Sequence, residues 1–96
     1  MTVCANDIRT AAERLQGNVI RTPFVAAPAL SGLLGCTVRL KLENLQHTSS
    51  FKARGAFIAM QALSDAARQR GVITMSAGNH AQAVAYHARQ MGIPAV

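Results

Sequence analysis

Aromatic residues are nearly missing. The 96 residues include three Phe, one Tyr and no Trp, 4% in all, so a core anchored by large rings is excluded. Cysteine is scarce as well: Cys4 and Cys36, 32 positions apart, do not make the framework of a disulfide-knit secreted domain. Acidic residues number four against ten basic ones. No long apolar run exists. The longest stretch free of charged residues and histidine, Thr22–Val38, has 17 residues and is interrupted by Pro28, Gly32 and Gly35, too short and too broken to span a bilayer. Asp7 and Arg9 stand where a signal peptide needs its apolar segment. A cytoplasmic, reducing setting without membrane contact is therefore expected.

What is present is small and apolar. Half of the residues are hydrophobic, which excludes a disordered tail. Eighteen Ala and seven Gly leave a methyl or less at 25 positions, so the core must rely on close backbone approach. The net charge of +6 would suit nucleic acid. The basic residues are scattered, however, and Phe24, Phe51, Phe57 and Tyr86 do not interleave with them, so no nucleic-acid partner is expected.

Patterning predicts the elements. A helix is expected over 6–16, capped by Asn6, with Ile8, Ala11, Ala12 and Leu15 on one face and Gly17 as its stop. Arg21-Thr22-Pro23 is extended. Pro28 opens a short helix that Gly35 ends. Residues 37–42 alternate with period two, a strand signal. Ser50 is expected to cap a long helix with Ile58, Ala62, Leu63 and Ala66 on its buried stripe, ended by Gly71. Val72-Ile73-Thr74-Met75 reads as a buried strand. A last helix, Asn79–Met91, buries Ala81, Val84, Ala85, Ala88 and Met91, and Ile93-Pro94-Ala95-Val96 approaches another strand. The order strand, helix, strand, helix, strand implies an α/β fold with a parallel sheet and helices on both faces. Ligands of such sheets bind at the carboxyl edge, where the turns before Lys52 and before His80 are expected to meet.

Those two turns carry the chemistry. Lys52 falls in the first turn of a helix, where the dipole disfavours an ammonium and partial burial would disfavour it further. A neutral lysine there is a nucleophile for an aldehyde, and Phe51 offers a flat apolar face. The same spacing also fits a surface lysine beside a core phenylalanine. In Ser76-Ala77-Gly78-Asn79-His80-Ala81-Gln82, small residues and free N–H groups at a helix start favour an anion. An ordinary capped turn fits equally. The three His and two Cys have no metal-ligand spacing, so no metal is expected.

Taken together, Glu43-Asn44-Leu45-Gln46, Ser50-Phe51-Lys52-Ala53-Arg54-Gly55-Ala56 and Ser76-Ala77-Gly78-Asn79-His80-Ala81-Gln82 resemble the fold-type II pyridoxal-phosphate enzymes. The threonine (serine/threonine) dehydratases, or threonine ammonia-lyases, are the most similar branch. The likeness runs from Arg21 to Val96, with Asn79 27 positions beyond Lys52. It implies pyridoxal 5'-phosphate held by Lys52 through a Schiff base, with Lys52 later moving the substrate α-proton. It also implies that Phe51 packs on the pyridine ring and Asn79 bonds the ring oxygen. Ser76, Gly78, Asn79 and His80 would bind the substrate carboxylate, and Ser50 would have a supporting role. The substrate would be a small amino acid, L-threonine or L-serine, lost as ammonia and a 2-oxo acid.

Details of the motifs refine this. Synthases of the fold usually carry an acidic residue after the lysine and Thr at the position of His80; Ala53 and His80 favour a dehydratase. Serine racemases carry a second Ser, the opposite-face base, where Ala77 stands. His47 replaces a common Pro, Ser49 a common Gly and Ala83 a common Gly. Family members are several times longer, and the glycine-rich phosphate loop and the partner of the pyridine nitrogen have no counterpart here. Residues 1–96 thus read as the N-terminal part of a catalytic domain, inactive alone, with the full-length protein a homo-oligomer. The alternatives are a non-catalytic module that binds an anion or a partner chain, or, within the family, a serine racemase or hydroxyaspartate ammonia-lyase.

Overall fold

The computed structural model describes residues 2–96. In order these form α1 (Ala5–Leu15), β1 (Phe24–Ala26), α2 (Pro28–Leu34), β2 (Arg39–Lys41), two 3-10 turns (Glu43–Leu45 and His47–Ser49), α3 (Lys52–Gln61), α4 (Asp65–Arg70) and α5 (Asn79–Met91). Among the described residues no helix is long and apolar enough to cross a membrane.

The N-terminal helix starts one residue earlier than expected. Cys4 occupies the cap position, and the Asp7 carboxylate accepts its backbone N–H at 2.8 Å. An acid at the third helical position satisfies a donor that the helix itself leaves open. Only Leu15 of the expected apolar face is buried, whereas Ile8 is exposed. The helix is tied to α3 by the Arg14 guanidinium, which donates to Gln61 Oε1 and to the Ile58 carbonyl.

The alternating segment at 37–42 does contain a strand, but its partner is β1. The two pair antiparallel, Val25 opposite Leu40, and Leu42 N–H donates to Pro23 O at 3.0 Å. A period of two reports alternating faces but neither partner nor direction, and a three-residue strand between prolines is too short to show any period. The parallel element lies further on. Val72 N–H donates to Pro94 O at 2.8 Å, Val96 N–H to Val72 O at 3.0 Å and Thr74 N–H to Val96 O at 2.9 Å. Helix α5 connects these segments, so residues 72–96 make the parallel, helix-crossed part of an incomplete α/β fold, but the pairing is only an isolated bridge of Val72 with Ala95, and Ile73 and Met75 are exposed where a buried strand was expected.

The expected long helix after Ser50 is two helices. Ser64 turns extended and its Oγ accepts from Ala67 N–H at 3.3 Å, which makes it the cap of α4. Arg68 donates to Gln61 O at 2.8 Å and Leu63 O at 3.2 Å, satisfying carbonyls at the end of α3. Serine competes poorly inside a helix and well at its start. The buried face of α3 is Ala53, Ala56, Phe57 and Met60, displaced from the predicted stripe. On α5, Val84 and Ala88 are buried as expected. Ala83 and His87 are buried too, while Ala85 is exposed. The core joins α3 to α5 through Ala56, Met60, Ala83, Val84, Ala88 and Ile93.

Gly71 is fixed by this arrangement. Its φ is +87°, and a Cβ there would lie 2.6 Å from Pro94 O, at the parallel pairing. Gly71→Ala is expected to destabilise the protein by about 2 kcal/mol or more, from the positive φ and the backbone clash. The midpoint of urea unfolding measures it.

Candidate active site

The loop ahead of Lys52 is held by the Glu43-Asn44-Leu45-Gln46 motif. The buried Gln46 side chain acts as a surrogate peptide group. Its Oε1 accepts from Ile20 N–H at 2.8 Å and His47 N–H at 3.0 Å, and its Nε2 donates to Ile20 O at 2.8 Å. Glu43 takes a two-pronged bond from Arg54, Nε at 2.9 Å and Nη2 at 2.8 Å, and a third from the Thr22 hydroxyl. The Arg54 hydrogen bonds, with those of Thr22 and Gln46 and against the effect of burial, hold the Glu43 carboxyl down to about 2. Arg54 lies two residues beyond Lys52, so this clamp fixes the start of α3 to the N-terminal segment. Sequence patterning alone does not assign the motif this role; the opposite charges of the pair and the polar loop between strand and helix are its only signals.

Between clamp and lysine the backbone is unusual. Thr48 and Ser49 both have positive φ, +59° and +57°. The left-handed region costs a residue with a Cβ roughly 1–2 kcal/mol, which explains why glycine is common at position 49 in the resembled family. His47 stacks on Tyr86 of α5, ring centroids 4.9 Å apart. Ser50 is extended and does not cap α3; Phe51 holds the cap position without a side-chain bond. Ser50 Oγ is buried and has no partner.

Lys52 opens α3 and is exposed. Its Nζ lies 5.2 Å from the centroid of the Phe51 ring, which is itself exposed. Both line a groove of about 440 Å³ with Gly55, Thr74, His80 and Val84. The structure thus brings Phe51, Lys52 and His80 to one cavity from two helices. Ser76, Gly78 and Asn79 sit on the turn that leads into His80 without lining that groove. Ser76 Oγ accepts from Gly78 N–H at 3.3 Å. A Cβ at Gly78 would meet no protein atom within 4 Å, so the turn leaves open space beside its backbone. Neither α3 nor α5 has an acidic residue in its first turn.

His87 belongs to this region too, although no sequence motif points to it. It is 2% exposed, and its Nε2 lies 2.8 Å from Ala53 O, next to Lys52. Burial pushes its pKa below the ordinary histidine value, so the ring is neutral near pH 7 and donates through Nε2–H to the carbonyl.

A family profile described as pyridoxal-phosphate dependent enzyme matches residues 15–96. The chain belongs to this family. Among curated relatives, an L-threo-3-hydroxyaspartate ammonia-lyase from Pseudomonas sp is 47% identical over 90 residues, covering 94% of this chain and 28% of the relative. An L-threonine ammonia-lyase from Thermotoga maritima is 46% identical over 93 residues, 97% of this chain and 23% of the relative. The chain therefore spans about a quarter of the length of these relatives. Among solved structures, maize serine racemase superposes with a TM-score of 0.86 at 38% identity, over 99% of this chain and 30% of that one. A threonine deaminase from T.th. gives 0.81 at 41% identity, over 98% and 33%. The family's cofactor is pyridoxal 5'-phosphate. The donor set here fits such a group: an accessible amine, a flat apolar ring beside it, and open space at Gly78.

The clamp has a pH signature. The folded pKa of Glu43 lies below the unfolded value of 4.5. Its stabilisation is therefore complete above that value and is lost as pH falls through about 2. Glu43→Gln is expected to lower stability by about 2 kcal/mol at pH 7, with the gap to the parent protein shrinking as the pH approaches 2. Urea titrations across that range read it.

Proposed function

We propose that Lys52 is the Schiff-base lysine of a lyase that converts L-threonine or L-serine to a 2-oxo acid and ammonia. The observation that carries this reading is the convergence of Lys52, Phe51 and His80 on one groove, on two motifs in the family's order. Lys52 Nζ would hold the cofactor through its aldehyde carbon with loss of water and, once the substrate amino group has displaced it from that carbon, would take the substrate α-proton as a free amine. Bound pyridoxal phosphate supplies the electron sink that makes that proton acidic. Phe51 would cover the ring, and Asn79 would donate to the ring oxygen. Ser76, Gly78, Asn79 and His80 would orient the substrate carboxylate with N–H and side-chain donors at the start of α5, where the helix dipole favours an anion. Overall, the β-hydroxyl leaves as water, water re-enters at the α-carbon, and ammonia departs.

Ala77 separates this reading from racemisation. Inverting the α-carbon needs a proton donor on the face opposite the lysine, and a methyl group has no proton to give. The relative named for hydroxyaspartate leaves a second lyase substrate in play.

The decisive experiment assays the full-length protein with L-threonine, L-serine and L-threo-3-hydroxyaspartate, alongside Lys52→Ala. The parent should release 2-oxobutanoate from threonine and show a visible absorbance that borohydride removes. The variant should lose both, and an unchanged spectrum overturns the assignment. Absence of cofactor and of turnover in the parent would favour the non-catalytic binding module. With L-serine, the parent should form no D-serine, and Ala77→Ser should introduce some. Rapid racemisation by the parent would overturn the lyase reading.

A further inference from the structure

His87 is the largest fully buried side chain among the described residues, in a core otherwise made mostly of alanine, valine, isoleucine and methionine. Packing alone does not call for an imidazole there, and a buried polar ring costs stability unless it is bonded. The bond it makes is specific: Nε2 to Ala53 O at 2.8 Å. That carbonyl belongs to the residue after Lys52, in the first turn of α3. Apart from the Arg54–Glu43 clamp, little else holds this turn. Its cap position makes no side-chain bond, and two residues with positive φ precede it.

The neighbouring residue works on the other side of the lysine. Tyr86 stacks on His47, five positions before Lys52, with the ring planes 22° apart. It also meets the His87 ring edge-on at 5.0 Å, and Phe57 packs against His87 at 5.4 Å. Two consecutive residues of α5 thus contact the chain on either side of Lys52, Tyr86 through the His47 ring and His87 through the Ala53 carbonyl. The same helix begins at Asn79 and His80, eight and seven positions before His87.

We propose that His87 is a positioning residue, whose Nε2–H bond to the Ala53 carbonyl fixes the first turn of α3, and with it Lys52, relative to the start of α5. This rests on the reading of Lys52 as the cofactor lysine. The groups that touch substrate or cofactor are other residues; His87 acts on them through the backbone. A displacement of about 1 Å at a reacting group costs up to a hundredfold in rate, so a single bond of this kind is enough to matter.

The test uses the full-length holoenzyme with His87→Leu, which keeps apolar bulk and removes the donor, and His87→Gln, which restores an N–H of similar reach. His87→Leu should lower kcat roughly 10–100-fold with KM for the amino acid changed less than about twofold. It should also shift the visible cofactor absorbance. In the cofactor-free protein it should speed amide exchange at Lys52–Arg54 more than along the rest of α3. His87→Gln should recover kcat to within about threefold and restore exchange protection. Equal behaviour of the two variants overturns the proposal, because packing alone would then explain the residue. If His87→Leu fails to fold, His87→Gln decides by itself. Near-parental kcat and exchange support the bond, and a roughly tenfold loss of kcat at an unchanged melting temperature overturns it. Lys52→Ala run in parallel separates the layers. An unchanged spectrum there overturns both readings, whereas loss of the spectrum with a silent His87→Leu overturns only the positioning role.

Discussion

The distance at which α3 and α5 can lie governs everything near the lysine. Ala53 and Ala83 are fully buried and Ala88 nearly so, and helices that meet through methyl groups approach closely. Such faces are smooth. They bury apolar surface but offer few knobs to resist sliding, so the contact by itself specifies register weakly. A buried donor that must find its acceptor specifies it strongly. The His87–Ala53 bond supplies that selectivity, at the point where α3 begins.

The second fixed point is electrostatic. Arg54 sits one helical step beyond Ala53 and faces away from α5, onto the carboxylate of Glu43. With Thr22 and Gln46 it forms a network in which every charged group has a partner, so the low exposure of the pair strengthens it instead of penalising it. The first turn of α3 is therefore held from two directions: through its backbone by α5, and through the Arg54 side chain by the segment at 20–46. Lys52 immediately precedes both anchored residues, and its amine is bonded to neither anchor. An exposed amine on a fixed backbone is what a covalent cofactor site requires, because the reagent must reach the nitrogen while the carbon skeleton stays still.

Much of this was legible in the sequence, and the remainder was hidden for definable reasons. The helices at 28–34 and 79–91 and the glycine stops at 35 and 92 follow from strong local signals: Pro at the first helical position and Gly at left-handed caps. The motifs around Lys52 and Asn79 revealed the family before any coordinates. The antiparallel partner of β2 was invisible because β1 has three residues. The break at Ser64 is masked because apolar periodicity continues through it, although Ser64 is a better cap than a helix interior residue. The roles of Glu43, Gln46 and His87 are long-range pairings, and a single sequence holds no signal that links positions 34 residues apart, as for His87 and Ala53.

Three places where the chain departs from the resembled family's habit have a common explanation in this geometry. Position 49 is left-handed, so the usual glycine is understandable and Ser49 carries strain. Position 83 is completely buried, so it is where the smallest side chain belongs, and the methyl of Ala83 is accommodated in the α3–α5 contact. Position 47 commonly bears a proline, which restricts backbone freedom ahead of the lysine. His47 lacks that ring but stacks on Tyr86, and a side-chain contact to α5 can restrain the same loop. Tyr86 and His87 are adjacent, so a loop freed from covalent restraint is secured by the helix that also secures the turn after it. In this chain, restraint on the lysine loop thus comes from α5 at two adjacent positions, the Tyr86 ring on His47 and the His87 bond to Ala53 O.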